Sequence, residues 1–408
     1  MKTFAAIAFL FAVWNPPLTV KHVESPRRTH IRPADLPAPQ NVETYEFPNL
    51  VWQPENAVLH VPAGFDVRMF AGELRGPKQI VETPNGDILV AESGKGRVLL
   101  LRDANGDGAI AASETHVLLD DLSRPAGLAV SRTHLYAGET GRIARFAYRP
   151  GQTRITAAPE KIGDVPPRGY REHWTRYLAL SPDQKKLYVT IGSQSNNDVE
   201  PDARRGTIVE IDLATNASRI YASGLRNATG LAFHPKTGQL WATCNERDGL
   251  GDDLVPDFVT SVREGGFYGW PYAYIGANPD PANGSKRPDL VAKTILPEVL
   301  IQAHSASLGI SFYDGKMFPA QYRGDAFVAL HGSWNRSKRT GYKVIRVLFR
   351  DGKPTGEYDD FLTGFMLGEE TPDVWGRPVS VTVLRDGSML VGDDGGGKIW
   401  RVTARAAR

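Results

Sequence analysis

The residues best suited to chemistry gather in the stretch 171–198, REHWTRYLALSPDQKKLYVTIGSQSNND. His173 stands between Glu172 and Trp174, just ahead of an apolar run. An imidazole titrates near neutral pH, so it can take the proton of a substrate hydroxyl, and a neighbouring carboxylate can tune it. Arg176 follows three positions later, and Lys78, Arg226, Arg336, Lys338 and Arg377 stand at the edges of other apolar segments. Guanidinium forks grip carboxylates in pairs, so these cations, if they converge, suit a planar and multiply anionic ligand. Taken singly, each reads equally well as a solvated rim charge. His304 in QAHSASLGISF and His331 in ALHGSWNR carry the same two readings, pocket residue or satisfied loop histidine.

A second constellation has metal-ligand spacing. Asp103, Asn105, Asp107 and Glu114 fall at positions one, three, five and twelve of a loop, with Gly108 at position six. Hard oxygens at that spacing, with glycine for the turn, are what a calcium loop requires. Here the loop joins strands, so the expected ion is structural. The same Asn-Gly-Asp-Gly string also makes a good turn without metal.

The elements that position these residues form a repeat. Copies begin near Gly76, Arg124, Thr175, Asn227, Ser305 and Arg377. Each is an apolar strand, a turn rich in Pro, Asp, Gly or His, and a second apolar strand, with most running on to a third. Blade-sized periods of roughly 40–50 residues predict an all-β, six-bladed β-propeller with loop insertions around its central channel. The lone strand FDVRMF, 65–70, lies upstream of the first copy and is expected to complete the last blade, because closure removes exposed edges. Insertions at 245–304 and 331–343 bring polar and aromatic residues to blade connections, where propeller function resides.

Composition narrows the class. The chain of 408 residues has 41% hydrophobic and 23% charged residues, enough to build a core. Its net charge of +2 carries no basic footprint for nucleic acid. One cysteine, Cys244, rules out an intramolecular disulfide and a cysteine-ligated haem or metal cluster. Residues 1–20 contain an apolar run, Phe4 to Trp14, too short to span a bilayer, and read as an export signal to the periplasm or exterior. Residues 21–50 read as a Pro-rich lead-in along the surface, and 51–408 as the propeller domain.

Several motifs together resemble one family. His173-x-x-Arg176-x-Leu178 with TIGSQSNN, GLRNATGLAF at 224–233, GGFYGWP at 265–271, HGSWNRSKRTGYKV at 331–344 and GRPVSV at 376–381 are similar to the pyrroloquinoline-quinone-dependent sugar dehydrogenases. The likeness runs to the soluble glucose dehydrogenases and, more closely, to the sorbosone and pyranose dehydrogenase branch. It implies His173 as catalytic base, with Arg176 beside it. It also implies quinone contacts from Arg226, Asn227 and Arg377 and from the loop holding His331, Asn335, Arg336 and Lys338; Lys78 joins this set as one of the convergent cations. It places an active-site calcium on main-chain carbonyls near Arg247 and Asp248, with Asp252 close by. Trp174, Tyr268, Trp270 or Trp334 would stack on the sugar, or else pack the core. The chain departs from the pattern at Ser193, where glucose-oxidising members have an aspartate behind the histidine, and Glu172 is the available substitute.

The expectation is therefore quinone- and calcium-dependent oxidation of a sugar or sugar-derived aldehyde or alcohol, of sorbosone or aldose type. Without a haem motif, electrons pass to an external acceptor, a cytochrome or a quinone, and nothing demands more than a monomer or homodimer. A calcium-dependent propeller lactonase is the competing enzyme; it needs convergent carboxylates and no anion pocket. A non-catalytic binding propeller is the third reading, and it predicts no cofactor affinity.

Overall fold

The structure, a computed structural model, describes residues 18–42, 44–167 and 173–405. Six sheets follow one another along the chain, each an antiparallel meander whose neighbours in sequence are neighbours in space. Blade 1 is Pro77–Glu82, Ile88–Glu92, Arg97–Leu101 and Thr115–Leu119. Blade 2 is Gly127–Val130, His134–Gly138, Arg142–Ala147 and Glu160–Asp164. Blade 3 is Leu178–Leu180, Lys186–Ile191, Thr207–Asp212 and Ser218–Ser223. Blade 4 is Asn227–Phe233, Leu240–Asn245, Asp257–Ser261 and Val299–Ile301, and blade 5 is Ser307–Phe312, Ala326–Leu330, Lys343–Arg350 and Lys353–Leu362. Blade 6 joins Pro378–Val383, Met389–Asp393 and Lys398–Ala404 to the N-terminal strand Phe65–Ala71. FDVRMF thus closes the ring, as its lone position predicts, and the closure ties residue 65 to residue 404.

The first strands of successive blades pack against one another all round the ring and form the wall of the channel. The second strands are buried on both faces: Ile88–Glu92 and Ala326–Leu330 have no exposed position. Such strands read as continuous apolar runs because both faces of a blade are covered by its neighbours. The outermost strand of blade 3, Ser218–Ser223, is mostly exposed.

The lead-in is more ordered than its composition predicts. Thr19–Val23 runs parallel to Val58–Pro62, Arg28–His30 adds a fifth strand to blade 5, and Asn49–Leu50 pairs in parallel with Asp373–Val374. Between these pairings the chain borrows hydrogen-bond partners from the loops it crosses. Gln40 donates to Leu250 and Gly251 to Val42, while the amide of Glu46 donates to the carbonyl of Trp334. Proline removes donors along this segment, but it does not prevent the remaining amides from pairing with a neighbouring edge. Most of the expected export signal, residues 1–17, lies outside the described residues.

Candidate active site

One end of the channel collects residues from a repeated position in the blades. They come just before a first strand, within its opening residues, or just after a second strand: Lys78, His173, Arg226, Asn227, Asn245 to Asp248, His331, Arg377 and Asp394. Radial repetition turns equivalent positions in sequence into neighbours in space.

His173, Arg226, Asn227, Asn245, Glu246, Asp248, Asp257, His304, Trp334 and Asn335 line a solvent-open pocket of about 430 Å³. The Nδ1 of His173 lies 3.2 Å from Ser193 Oγ and 3.3 Å from its carbonyl. Ser193 Oγ itself donates to the carbonyl of Ser195 at 2.7 Å. Gly192 makes this approach possible, since a Cβ there would collide with Asn227 Oδ1 and crowd His173. Burial first, and then the nearby Arg226, hold the His173 pKa well below the usual histidine value. At neutral pH the imidazole is therefore uncharged and able to accept a proton.

Behind His173 lies a buried polar network centred on Arg226. Its guanidinium donates to the carbonyls of Glu246 (2.7 Å) and Asn196 (3.0 Å), to Asn196 Oδ1 (3.0 Å) and to Asp248 Oδ2 (3.2 Å). Asn335 donates to Asp248 Oδ1 at 2.5 Å and contacts His304 Nδ1 at 3.1 Å. Since the amide is the donor to Nδ1, His304 carries its proton on Nε2 and donates to the Gly251 carbonyl at 3.0 Å. Glu246 and Asp257 share the same wall. Burial pushes Glu246 up to about 8 against the pull of Arg226, and Asp257 up to about 7 despite the amides of Glu246 and Ser307. In these two buried carboxyl groups facing the pocket, burial outweighs the pull of the neighbouring cation and amides.

Across the channel a second cluster joins blades 1, 5 and 6. Asp394 forms an ion pair with Lys78 and accepts from His331 Nε2 at 2.7 Å. Burial alone would raise the Asp394 carboxyl, but the hydrogen bond from His331 and the ammonium of Lys78 hold it far below the carboxylate range. Burial and then Arg377 lower His331 to about 4, so it is a neutral donor in this pair. Arg377 donates to the His331 carbonyl at 3.2 Å and lies 5.8 Å from the centre of the Tyr342 ring. Trp174 is buried between two cations, Arg124 at 4.0 Å and Lys78 at 5.7 Å from its ring centre.

Several expected site residues turn elsewhere. Arg176 is fully buried and spends its guanidinium on carbonyls: Thr175 at 2.7 Å, Pro166 at 2.5 Å, His173 at 3.2 Å, and Pro167. It clasps the two flanks of the segment 168–172, and so positions His173 instead of meeting a ligand. Arg336 bonds the carbonyl of Asp252 and pairs with Asp253 at 2.8 Å; Lys338 is exposed and 3.4 Å from Glu370. Arg247 pairs with Asp280, and Asp252 accepts from Ser337 and Thr44. Tyr268 and Trp270 are core residues, the first bonded to the Ser261 carbonyl at 2.5 Å and the second to that of Asn196 at 2.9 Å. Trp334 alone of the four aromatic candidates lines the pocket. Glu172 lies outside the described residues.

The 103–114 loop closes on itself. Glu114 accepts from the amides of Ala104 (2.9 Å), Asn105 (3.3 Å) and Ala111 (2.9 Å), Asp103 from Gly108 (2.9 Å), and Asp107 from Ala109 (2.8 Å). Among the described residues no group of three or more His, Cys, Asp and Glu side chains is arranged to hold a metal ion, in this loop or elsewhere.

A family model described as TrAA12-like matches residues 59–257 and 282–405. The chain belongs to the TrAA12-like family. A Borreliella burgdorferi protein without an assigned function is 30% identical, over 85% of this chain and 91% of its own. The pyrroloquinoline quinone-dependent sugar dehydrogenase of Hypocrea jecorina is 25% identical, over 83% of this chain and 87% of its own. The solved calcium structure of a Trichoderma reesei carbohydrate-active enzyme of family AA12 superposes with a TM-score of 0.71 at 22% identity, covering 90% of this chain and 99% of that one. At that identity the likeness speaks for the fold.

Residues that the sequence reading passed over in this TrAA12-like chain are Asn196, Glu246, Asp257 and Asp394. Asn196 sits inside the quoted TIGSQSNN string, and Asp394 inside GDDGGG directly after a second strand. For Asn196, Glu246 and Asp394 the available signal was placement after a second strand; Asp257 opens the third strand of blade 4.

Proposed function

We propose that this chain is a pyrroloquinoline-quinone-dependent sugar dehydrogenase that uses calcium and oxidises a sugar or sugar-derived aldehyde or alcohol, of sorbosone or aldose type. The observation that carries the reading is His173: uncharged at neutral pH, held through Nδ1 by Ser193, and set in a pocket with Arg226 and Asn227.

The residues present fit both groups. For the polyanionic quinone, Arg226, Asn227 and His173 lie on one side of the channel end and Lys78, His331 and Arg377 on the other. For calcium, the main-chain carbonyls of the turn at Arg247 and Asp248 would supply hard oxygens, with acidic side chains on the same pocket wall adding negative charge around them. The raised pKa values of Glu246 and Asp257 are those of buried acids that a cation would stabilise. Bound there, the quinone supplies a two-electron acceptor and calcium a Lewis acid.

The chain's own residues do the remainder. With Nδ1 engaged by Ser193, Nε2 of His173 is the nitrogen that receives the substrate hydroxyl proton. Burial, and then Arg226, keep that imidazole neutral until the proton arrives, and Arg176 holds the backbone from which it projects. Trp334 offers a face to the pyranose ring at the pocket rim. Electrons leave to an external cytochrome or quinone acceptor. We infer export to the periplasm or exterior from the apolar run Phe4 to Trp14; no helix among the described residues is long and apolar enough to cross a membrane.

The test is titration of the quinone-free protein with pyrroloquinoline quinone and calcium, followed by dye reduction with aldoses, sorbosone and polyols. Saturable binding and turnover that vanishes in His173→Ala are the expected result. Absence of quinone binding with calcium present refutes the proposal.

A further inference from the structure

Exposed apolar side chains are not scattered over this propeller. Of the ten large ones left exposed among the described residues, five lie within one segment: Val42, Tyr45, Phe47, Leu50 and Trp52. A concentration of this kind marks an interaction surface. The segment belongs to the lead-in that runs beside the candidate active site, bonded to the loops at 250–251 and 334, and it is held firmly. The Glu46 amide donates to the Trp334 carbonyl at 2.8 Å, and Arg339 donates to the Glu46 carbonyl at 2.8 Å. Tyr45 and Phe47, on either side of Glu46, are therefore fixed against the same loop that sends Trp334 into the pocket wall.

The three rings form one cluster. Phe47 and Trp334 lie 5.5 Å apart with planes 14° from parallel, Tyr45 and Phe47 6.2 Å at 23°, and Tyr45 and Trp334 5.9 Å at 34°. A column of three stacked rings would put its outer pair much further apart than either inner pair. Nearly equal separations require a triangle of similarly oriented rings instead. Tyr45 is 47% exposed and Phe47 61%, while Trp334 lines the pocket that contains His173. The aromatic cluster is thus continuous with the candidate substrate site. Arg336 and Ser337 follow Trp334 in the loop, and Asp253 pairs with Arg336, so polar groups border the rings.

We propose that Tyr45, Phe47 and Trp334 form an outer saccharide subsite. There the second pyranose unit of an oligosaccharide stacks its apolar C–H face while the terminal unit enters the pocket at His173. The inference deepens the sugar dehydrogenase reading and rests on it for the identity of the inner site. Flat aromatic faces bordered by hydrogen-bonding groups match a pyranose, which is apolar across its ring faces and polar around its edge.

The test uses Phe47→Ala and Tyr45→Ala, neither of which removes a pocket residue, with Phe47→Trp as the conservative control. In the enzyme reconstituted with quinone and calcium, kcat/KM is measured for a monosaccharide and for its β-linked and α-linked di- and trisaccharides. Calorimetric titration of the quinone-free protein with the same trisaccharides gives a readout independent of turnover. Expected is a loss of about tenfold toward the oligosaccharide in both alanine variants, the size of one missing ring contact, with the monosaccharide unchanged and Phe47→Trp restoring the loss. Equal losses for both sugars, or oligosaccharide kinetics and binding unaffected by either alanine variant, overturn the subsite. So does a defect confined to reduction of a protein acceptor such as cytochrome c, which would reassign the surface to redox docking. Trisaccharide binding that depends on Phe47 in a protein that never turns over keeps the subsite and removes the dehydrogenase reading. Turnover of monosaccharides without trisaccharide binding does the reverse.

Discussion

Two acidic loops, 103–114 and 245–257, satisfy their carboxyl groups in different ways. The first matches the calcium-loop spacing at positions one, three, five and twelve, and its own amides engage much of its oxygen: Glu114 alone receives three, while Asp103 Oδ1 is buried and accepts from none. The second matches no metal pattern, yet it places Glu246, Asp248 and Asp257 on the pocket wall. The difference is one of reach. In 103–114 donor and acceptor are at most ten residues apart, so a turn satisfies them locally. In 245–257 the acids meet partners 22 and 87 residues away, Arg226 at the start of the same blade and Asn335 from the next, and burial prevents water from making up the deficit. Ligand spacing reports what a loop can do, whereas burial decides whether its charge remains available.

That contrast can be broken at several points. The largest effect is expected from Arg226→Ala, which strips the charged partner from Asp248 and leaves three buried carboxylates together. We expect a stability loss of about 3–5 kcal/mol in urea denaturation and no measurable quinone binding. A variant that binds the quinone normally would show that Arg226 is not the organising cation.

Calcium removal distinguishes the loops next. A chelator should abolish turnover in the wild type and equally in Glu114→Gln, because the proposed catalytic ion is assigned to 245–257. If Glu114→Gln alone changes the calcium requirement, the assignment of the two loops is reversed.

Glu246→Gln probes the uncompensated charge in the protein free of quinone and metal. Glu246 holds its proton up to about 8 when folded and to 4.5 otherwise, so the folded state binds more protons between those values. Stability therefore falls as pH rises through that window, and the substitution should flatten part of the slope in melts run from pH 4.5 to 8. A slope identical to wild type would place the titrating group elsewhere. Glu114 shifts the opposite way, its pKa lowered by the amide of Ala111 and those of Ala104 and Asn105. Its contribution is present above the ordinary value and is lost as pH falls, so Glu114→Gln should lower the melting temperature slightly at neutral pH and least in acid.

The smallest effect belongs to Lys338→Ala. The exposed pair with Glu370 is worth about 0–1 kcal/mol, and kcat/KM should stay within about twofold of wild type. A larger change would support Lys338 as a quinone contact, the role its loop position suggests.

The repeat was legible in the sequence because its causes are local. Alternating apolar residues, turns such as Ser181-Pro182-Asp183 and a lone strand at 65–70 with no partner nearby are short-range facts, and together they dictate six blades and their closure. His173, Arg226, Asn227 and Arg377 were legible for a related reason: a repeated position in each blade becomes one end of one channel. The directions of the long side chains were not legible. Arg176, Arg336 and Lys338 resemble Arg226 in one dimension, but carbonyls at Pro166 and Pro167, the turn at Asp252 and an exposed glutamate claim them in three. Nor could Pro-rich composition show that 40–50 runs beside the candidate active site, since its partners, Leu250, Trp334 and Val374, are more than two hundred residues away along the chain. Pattern along the chain determined the scaffold. Which charges stay available at its centre was decided only by folding, because burial and pairing depend on neighbours that sequence distance does not reveal.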